Sequence, residues 1–254
     1  MIRKNELKEF AQLKGLSLAN AEKDYLLELL LYFLSDHKRF LVFKGGTALY
    51  KFHNLNRFSE DLDLDLLKKG IRPDKEIERI NRKLELLSMK GTIAEVEEHG
   101  KETNLRFTIR GPLYDGRKES MTRLTVNLSS RERPISSELK YLVSLYHEIP
   151  SFHMPVLDIR EIAAEKIRCI FERDKPRDIY DLWFLSKRDI IPDLQIVNRK
   201  LSISGFTFDV SVIMEKIHER RKNWKKDLEG LIIGKLPEFR SVEEDLEKMV
   251  ERIH

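Results

Sequence analysis

The chain has 254 residues, with 47 Lys or Arg and 43 Asp or Glu, so its formal net charge is only +4. Such a small excess does not by itself predict a nucleic-acid partner, which only a local concentration of basic residues would indicate. The single cysteine excludes a disulfide framework and a cysteine-based zinc site. No signal-peptide pattern opens the sequence, and no apolar run approaches the roughly 20 residues that span a bilayer. We therefore expect a cytoplasmic protein without membrane contact.

The apolar pattern predicts an α+β protein in three regions. Residues 1 to about 37 are predicted to be helical, and a mixed region of strands and helices follows to about residue 150. A charged amphipathic helix is expected over 74–89. Strands are expected at 40–43, 61–67, 93–97, 104–110 and 122–128.

Helical periodicity dominates from about residue 158 to the end. Pro150 and Pro155 bracket a predicted linker into this region. The predicted organisation is a core domain with its N-terminal helix over 1–150 and a C-terminal helical region over 151–254. The core would contain a small mixed sheet flanked by helices.

The segment 61–66 alternates aspartate with leucine. Because successive side chains of a strand point to opposite faces, Asp61, Asp63 and Asp65 share one face. Neighbouring carboxylates on that face lie roughly 6.6 Å apart along the strand and repel one another unless a cation is bound. Oxygen ligands of this kind suit Mg²⁺ or Mn²⁺. The alternative is a half-exposed strand whose polar face is solvated.

A glycine turn precedes this strand. Gly45, Gly46 and Thr47 follow a short apolar strand and open a predicted helix. The free N–H groups at the start of such a helix can bind phosphate oxygens, and a threonine there can cap the helix or bond a phosphate. Gly-Gly also occurs in many tight turns that bind nothing.

The spacing of the turn and the carboxylate strand resembles the signature of polymerase-β-type nucleotidyltransferases. More closely, KGGTAL at 44–49 followed by RFSEDLDL at 57–64 is similar to the AbiEii/AbiGii toxin family of type IV toxin–antitoxin pairs. A second block supports the resemblance, because an AEK element at 164–166 precedes RDIYDL at 177–182. The resemblance covers about residues 40–185.

The resemblance implies a polymerase-β-like core that transfers a nucleoside monophosphate from a nucleoside triphosphate to a hydroxyl. Asp61 and Asp63 would hold Mg²⁺, with Mn²⁺ as an alternative. The triphosphate would contact the glycine turn, and Ser59 would contribute a phosphate or metal contact. The implied acceptor is RNA, foremost the 3′ end of tRNA, and the implied protein partner is a cognate antitoxin.

The second block contains a lysine on an apolar helix stripe. Lys166 lies between Ile162 and Ile170 on one face, so it requires an anionic partner. One reading is an internal ion pair with Asp181 that joins two helices. The other reading, which the resemblance favours, is a catalytic lysine that neutralises phosphate charge while Asp178 or Asp181 orients it.

Arg57 also has two readings, as a phosphate contact or as the partner of Glu60. A third acid is expected on the strand at 122–128, where Asn127 stands instead, and Glu132 is the nearest substitute. The missing acid favours one alternative, a nucleotide-binding interaction module without catalysis. A housekeeping nucleotidyltransferase is a second alternative.

The segment 209–231 is predicted to be one helix with an apolar face and a basic remainder. Its basic residues could bind the phosphate backbone of RNA, although four acidic residues dilute the charge. They are Lys216, His218, Arg220, Arg221, Lys222, Lys225 and Lys226.

Overall fold

The computed structural model describes residues 1–67, 71–90 and 92–253. The chain forms two compact units. Unit 1 comprises residues 1–54 and 58–156, and unit 2 comprises residues 55–57 together with the chain from residue 157 onward. None of the helices in the described residues has the length and apolar character needed to cross a membrane.

Unit 1 combines four helices with a mixed sheet. The helices are α1 (Lys4–Lys14), α2 (Leu18–Leu34), α3 (Gly45–His53) and α4 (Pro73–Leu86), with short 3-10 turns at Ser35–His37 and Lys118–Ser120. The strands are β1 (Leu41–Lys44), β2 (Asp61–Leu66), β3 (Ile93–His99), β4 (Glu102–Ile109), β5 (Thr122–Ser129), β6 (Ser137–Leu142) and β7 (Phe152–Leu157).

The strands form one seven-stranded sheet in the order β3-β4-β5-β2-β1-β7-β6. The central strand β2 is antiparallel to β1 and parallel to β5, so the predicted mixed sheet is confirmed. Leu62 and Leu64 are fully buried, while Asp61 and Asp63 on the opposite face of β2 are partly exposed. The alternation read from the sequence therefore separates a core face from a polar face.

Unit 2 is helical, as predicted. It contains α5 (Ile159–Glu172), α6 (Pro176–Ser186), α7 (Leu194–Ser202), α8 (Val210–Glu219), α9 (Trp224–Leu228) and α10 (Phe239–Val250). The short segment 55–57 belongs to this unit because Arg57 forms an antiparallel bridge with Ile232 and Asn56 accepts a hydrogen bond from the Tyr180 hydroxyl at 2.8 Å.

Two expectations about secondary structure are wrong. The predicted linker between Pro150 and Pro155 is largely strand β7, in which Phe152, Met154 and Val156 are buried and His153 is exposed. This alternation is the strand period, and the prolines concealed it. The single helix predicted over 209–231 is broken into α8, a 3-10 turn at Arg220–Asn223 and α9.

Candidate functional site

The three aspartates of β2 have different environments. Asp61 and Asp63 are partly exposed on the polar face. Asp65 is fully buried, and its Oδ1 lies 2.8 Å from the Lys44 ammonium. Because Asp65 is neutralised by a lysine of the neighbouring strand, only Asp61 and Asp63 remain as candidate metal ligands. Lys44 was missed in the sequence, although a lysine that ends an apolar strand is itself a signal for a buried anion.

Asn127 occupies the position expected for a third acid. It is the register partner of Asp63 across the parallel β2–β5 pair, and its amide Nδ2 donates a hydrogen bond of 2.8 Å to Asp63 Oδ1. The asparagine therefore orients Asp63 and adds no charge. In the described ranges no group of three or more His, Cys, Asp or Glu side chains could hold a metal ion. Glu132 lies beyond the end of β5 at Ser129.

The N-terminus of α3 lies against Asp63. The helix begins at Gly45, and the preceding Lys44 forms no side-chain cap. The first N–H groups of a helix have no partner within the helix itself. Gly45 has a φ of 77°, and a Cβ at this position would lie 2.5 Å from Asp63 Oδ2. Glycine is thus required both by the backbone conformation and by the carboxylate beside it.

Thr47 ties the helix to the carboxylate strand. It is fully buried, and its hydroxyl donates a hydrogen bond to the main-chain carbonyl oxygen of Asp61. The contact of Thr47 with a phosphate oxygen stays a prediction. Gly46 is buried beside it, whereas Ser59 is partly exposed two residues before Asp61.

The contact between Gly45 and Asp63 gives a testable prediction. In Gly45→Ala, the new methyl group would displace the Asp63 carboxylate, so we expect the nucleotide transfer that the resemblance implies to fall at least about a hundredfold. Gly100→Ala is the matched control, since Gly100 has a φ of 62° and a Cβ added there would meet nothing within 4 Å. The control should lose about 1 kcal/mol of stability and no activity. Equal activity in the two variants would show that Asp63 does not need its observed position.

Unit 2 contains a buried ion-pair network around Lys166. The Lys166 ammonium lies 2.9 Å from Asp178 Oδ1 and 2.7 Å from Asp181 Oδ2. Arg57 donates to both oxygens of Asp181, at 2.9 and 2.8 Å. Arg173 donates to both oxygens of Asp178, at 2.8 and 3.0 Å. Asp178 and Asp181 are thus each shared between Lys166 and an arginine.

The network fixes the charge of its members. Burial alone would lower the pKa of Lys166, but the carboxylates of Asp181 and Asp178 raise it above its ordinary value. Burial would raise the pKa values of Asp178 and Asp181, but the neighbouring cations hold both below the ordinary range. Lys166 is therefore a permanent cation at neutral pH and cannot serve as a general base.

Some of the partners predicted from the sequence are observed. The ion pair between Lys166 and Asp181 that joins α5 to α6 is present. Arg57 is 2% exposed and donates to Asp181, and Glu60 forms an ion pair with Lys23 at 2.7 Å. The phosphate contact of Arg57 stays a prediction. Arg173, for which no role was predicted, completes the network. Whether Lys166 also acts on substrate stays a prediction.

The comparisons with known proteins agree on one type of fold. A family model described as "Nucleotidyl transferase AbiEii toxin, Type IV TA system" matches residues 28–251. No curated protein matches the sequence.

Three solved structures are similar to the whole chain. MenT4, a nucleotidyltransferase toxin from Mycobacterium tuberculosis H37Rv, has a TM-score of 0.62 and 21% identity over 100% of this chain and 91% of its own. JHP933 from Helicobacter pylori has a TM-score of 0.59 and 21% identity over 94% of this chain and 93% of its own. A putative nucleotidyltransferase from H. pylori has a TM-score of 0.59 and 22% identity over 94% of this chain and 96% of its own. At these identities the similarity concerns the fold.

Proposed function

Because the chain belongs to the nucleotidyl transferase AbiEii toxin family of type IV toxin–antitoxin systems, we propose that it transfers a nucleoside monophosphate from a nucleoside triphosphate to a hydroxyl of RNA, foremost the 3′ end of tRNA. Pyrophosphate leaves as the α-phosphate is attacked. A cognate antitoxin would restrain this activity. The family supplies the reaction class, whereas the metal, the acceptor and the residue roles are the proposal.

The contact of Asp63 with the start of α3 carries the proposal. A carboxylate held by Asn127 lies directly beside a glycine at an uncapped helix N-terminus. Helix N-termini bind phosphate through free N–H groups, and carboxylates bind the divalent cation that accompanies a nucleoside triphosphate. One short segment thus offers both the anion site and the cation ligands that a metal–triphosphate complex requires.

Asp61 and Asp63 fit a magnesium ion, because both are partly exposed carboxylates on one strand face. Bound Mg²⁺ would neutralise phosphate charge and lower the pKa of the attacking hydroxyl. Gly45, Gly46 and the N–H of Thr47 would bind phosphate oxygens, and Ser59 would add a further contact. Asn127 would keep Asp63 in its binding orientation. Mn²⁺ offers the same coordination chemistry.

The charged network of unit 2 supplies the remaining proposed roles. Lys166 would neutralise negative charge that develops on the phosphates, and its fixed protonation suits that task. Asp178 and Asp181 would orient its ammonium group. Arg57 is a positioning residue in this scheme, because its guanidinium is 2% exposed and bonded to both oxygens of Asp181.

An exposed basic cluster supports RNA as the acceptor. Arg221, Lys222, Lys225 and Lys226 are exposed on the 3-10 turn and α9, and within the described part of the chain none of them forms an ion pair. Arg220 differs, since it is 5% exposed and donates to the carbonyl oxygens of Ile170 and Arg173 at 3.2 Å. Arg220 therefore packs inside the protein. The four exposed cations are the residues that we propose to contact a phosphate backbone.

The decisive experiment is incubation of the purified chain with total tRNA, Mg²⁺ and each α-labelled nucleoside triphosphate in turn. Label should enter RNA with at least one nucleotide and should require Mg²⁺ or Mn²⁺. Transfer into a protein or a small molecule, with none into any RNA, would contradict the RNA proposal. Transfer into a different RNA would contradict the choice of tRNA. Growth arrest on expression, relieved by Asp63→Ala, would tie the activity to toxicity.

The basic cluster gives a second prediction. Lys225→Ala/Lys226→Ala should weaken RNA binding about tenfold and reduce the salt dependence of binding, because two phosphate contacts are lost. The affinity for nucleoside triphosphate should not change. Lys4→Ala/Lys8→Ala removes the same charge from exposed positions of α1 and is the matched control. If the two double variants bind RNA equally, the cluster is not the RNA-binding surface.

A further inference from the structure

Strand β6 and the residue after it present an unusual apolar row at the edge of the sheet. Among the described residues β6 is the outermost strand beyond β7, so its outer main-chain groups face no further strand there. The large apolar side chains at alternate positions are exposed, namely Leu139 by 61%, Tyr141 by 56% and Val143 by 68%. Soluble proteins normally protect an edge strand with charge, proline or a covering element.

The apolar row faces outward because alternate residues on the opposite face make buried contacts. Leu142 is 5% exposed, the Ser144 hydroxyl donates to Glu28, and the Tyr146 hydroxyl donates to Asp24 Oδ2 at 2.7 Å. The alternation therefore continues from the strand into the following segment. The exposure of the apolar row is fixed by buried contacts, so rotation of the strand cannot hide it.

We propose that β6 pairs with β6 of a second copy of this chain, in antiparallel register centred on Leu139. A two-fold axis perpendicular to the sheet makes such pairing self-complementary. The register places Leu139 opposite Leu139 and Ser137 opposite Tyr141. It also places Glu138 opposite Lys140 twice, once on each side of the axis.

Charge complementarity favours a second copy of the chain as the partner and favours the register centred on Leu139. Glu138 and Lys140 lie on one face of β6 and pair with each other at 2.9 Å within the strand. In the dimer each would face the opposite charge of the second copy, and the four charges would form one cluster. Opposite charges directly across a strand pair stabilise it, whereas like charges destabilise it. Moving the register by one residue removes the match.

The test begins with the oligomeric state of the full chain, measured by sedimentation velocity across the micromolar range. We expect a concentration-dependent dimer. Leu139→Lys, which places two lysines on the two-fold axis, should leave only monomer. Leu86→Lys is the matched control, because Leu86 is 85% exposed at the end of α4. It should dimerise like the unmodified chain.

A charge exchange then tests the register. Glu138→Lys alone creates two Lys–Lys contacts, and Lys140→Glu alone creates two Glu–Glu contacts, so each should weaken the dimer about tenfold or more. A mixture of the two variants restores both opposite-charge contacts and should form a heterodimer. Circular dichroism checks that each variant is folded.

Three outcomes would overturn the proposal. An unmodified chain that stays monomeric throughout the range excludes self-pairing, even if a different protein binds at Leu139. Loss of the dimer in Leu139→Lys without any effect of the charge variants excludes this register. A mixture of the charge variants that stays monomeric excludes it as well. The proposal does not depend on the reaction that the chain catalyses.

Discussion

Replacing Asp63 with alanine should reduce nucleotide transfer at least about a thousandfold, because the proposed metal–triphosphate complex loses one of its two carboxylates. The fold should persist, since Asp63 is partly exposed and its carboxylate accepts a hydrogen bond from the side chain of Asn127. Surface changes of this kind alter stability by no more than about 1 kcal/mol. Labelling of tRNA and thermal unfolding, measured on the same preparation, check both parts.

Two further variants separate charge from shape. Asp63→Asn retains an acceptor for the Asn127 amide but removes the negative charge, and we expect it to be nearly as inactive as Asp63→Ala. Glu95→Ala removes an exposed carboxylate from β3, in the row that crosses the sheet from Asp61 through Thr125 and Arg106. It should be fully active. Activity retained in Asp63→Asn would rule out a metal-ligand role for the Asp63 charge.

The sequence predicted the carboxylate strand because its information is local. Alternation at 61–66 determines which side chains share a face, whatever the strand pairs with. The glycine turn is equally local, since a helix start without a cap is recognisable from consecutive residues. Asp61, Asp63 and Gly45 could therefore be named before any contact was known.

The residues that contact these aspartates depend on the order of the strands in the sheet, which local sequence patterns do not predict. The pairing of Lys44 with Asp65 requires β1 beside β2, and the bond from Asn127 to Asp63 requires β5 on the other side. The sequence singled out Asn127 as standing where a third acid was expected, and its donation to Asp63 follows only from the register. Strand β7 was missed because the prolines near and within it resemble a linker, and β6 was not predicted either.

Asp181→Asn should be the most destabilising change in unit 2. It removes the negative charge to which the buried Arg57 guanidinium donates two hydrogen bonds, and it removes one of the carboxylates that pair with Lys166. Loss of a buried charge partner costs about 3–5 kcal/mol. Asp178→Asn is the matched comparison, because it releases Arg173, whose side chain is 54% exposed and can be solvated. We expect it to cost at least about 2 kcal/mol less. Urea unfolding of both variants measures the difference, and equal losses would contradict the argument.

Acid should have the same effect as the substitution. Both carboxyls have folded-state pKa values below the ordinary 3.8, so protons bind more tightly to the unfolded chain and the stabilisation disappears as the pH falls below about 4. In Asp181→Asn, the free energy of unfolding should depend less steeply on pH below about 4. If transfer by the folded variant, assayed well below its unfolding temperature, also falls at least about tenfold, Asp181 orients a lysine that acts on substrate. If transfer is unchanged, the network serves only to join the helices, because the loss of ion pairs alone would then explain the loss of stability.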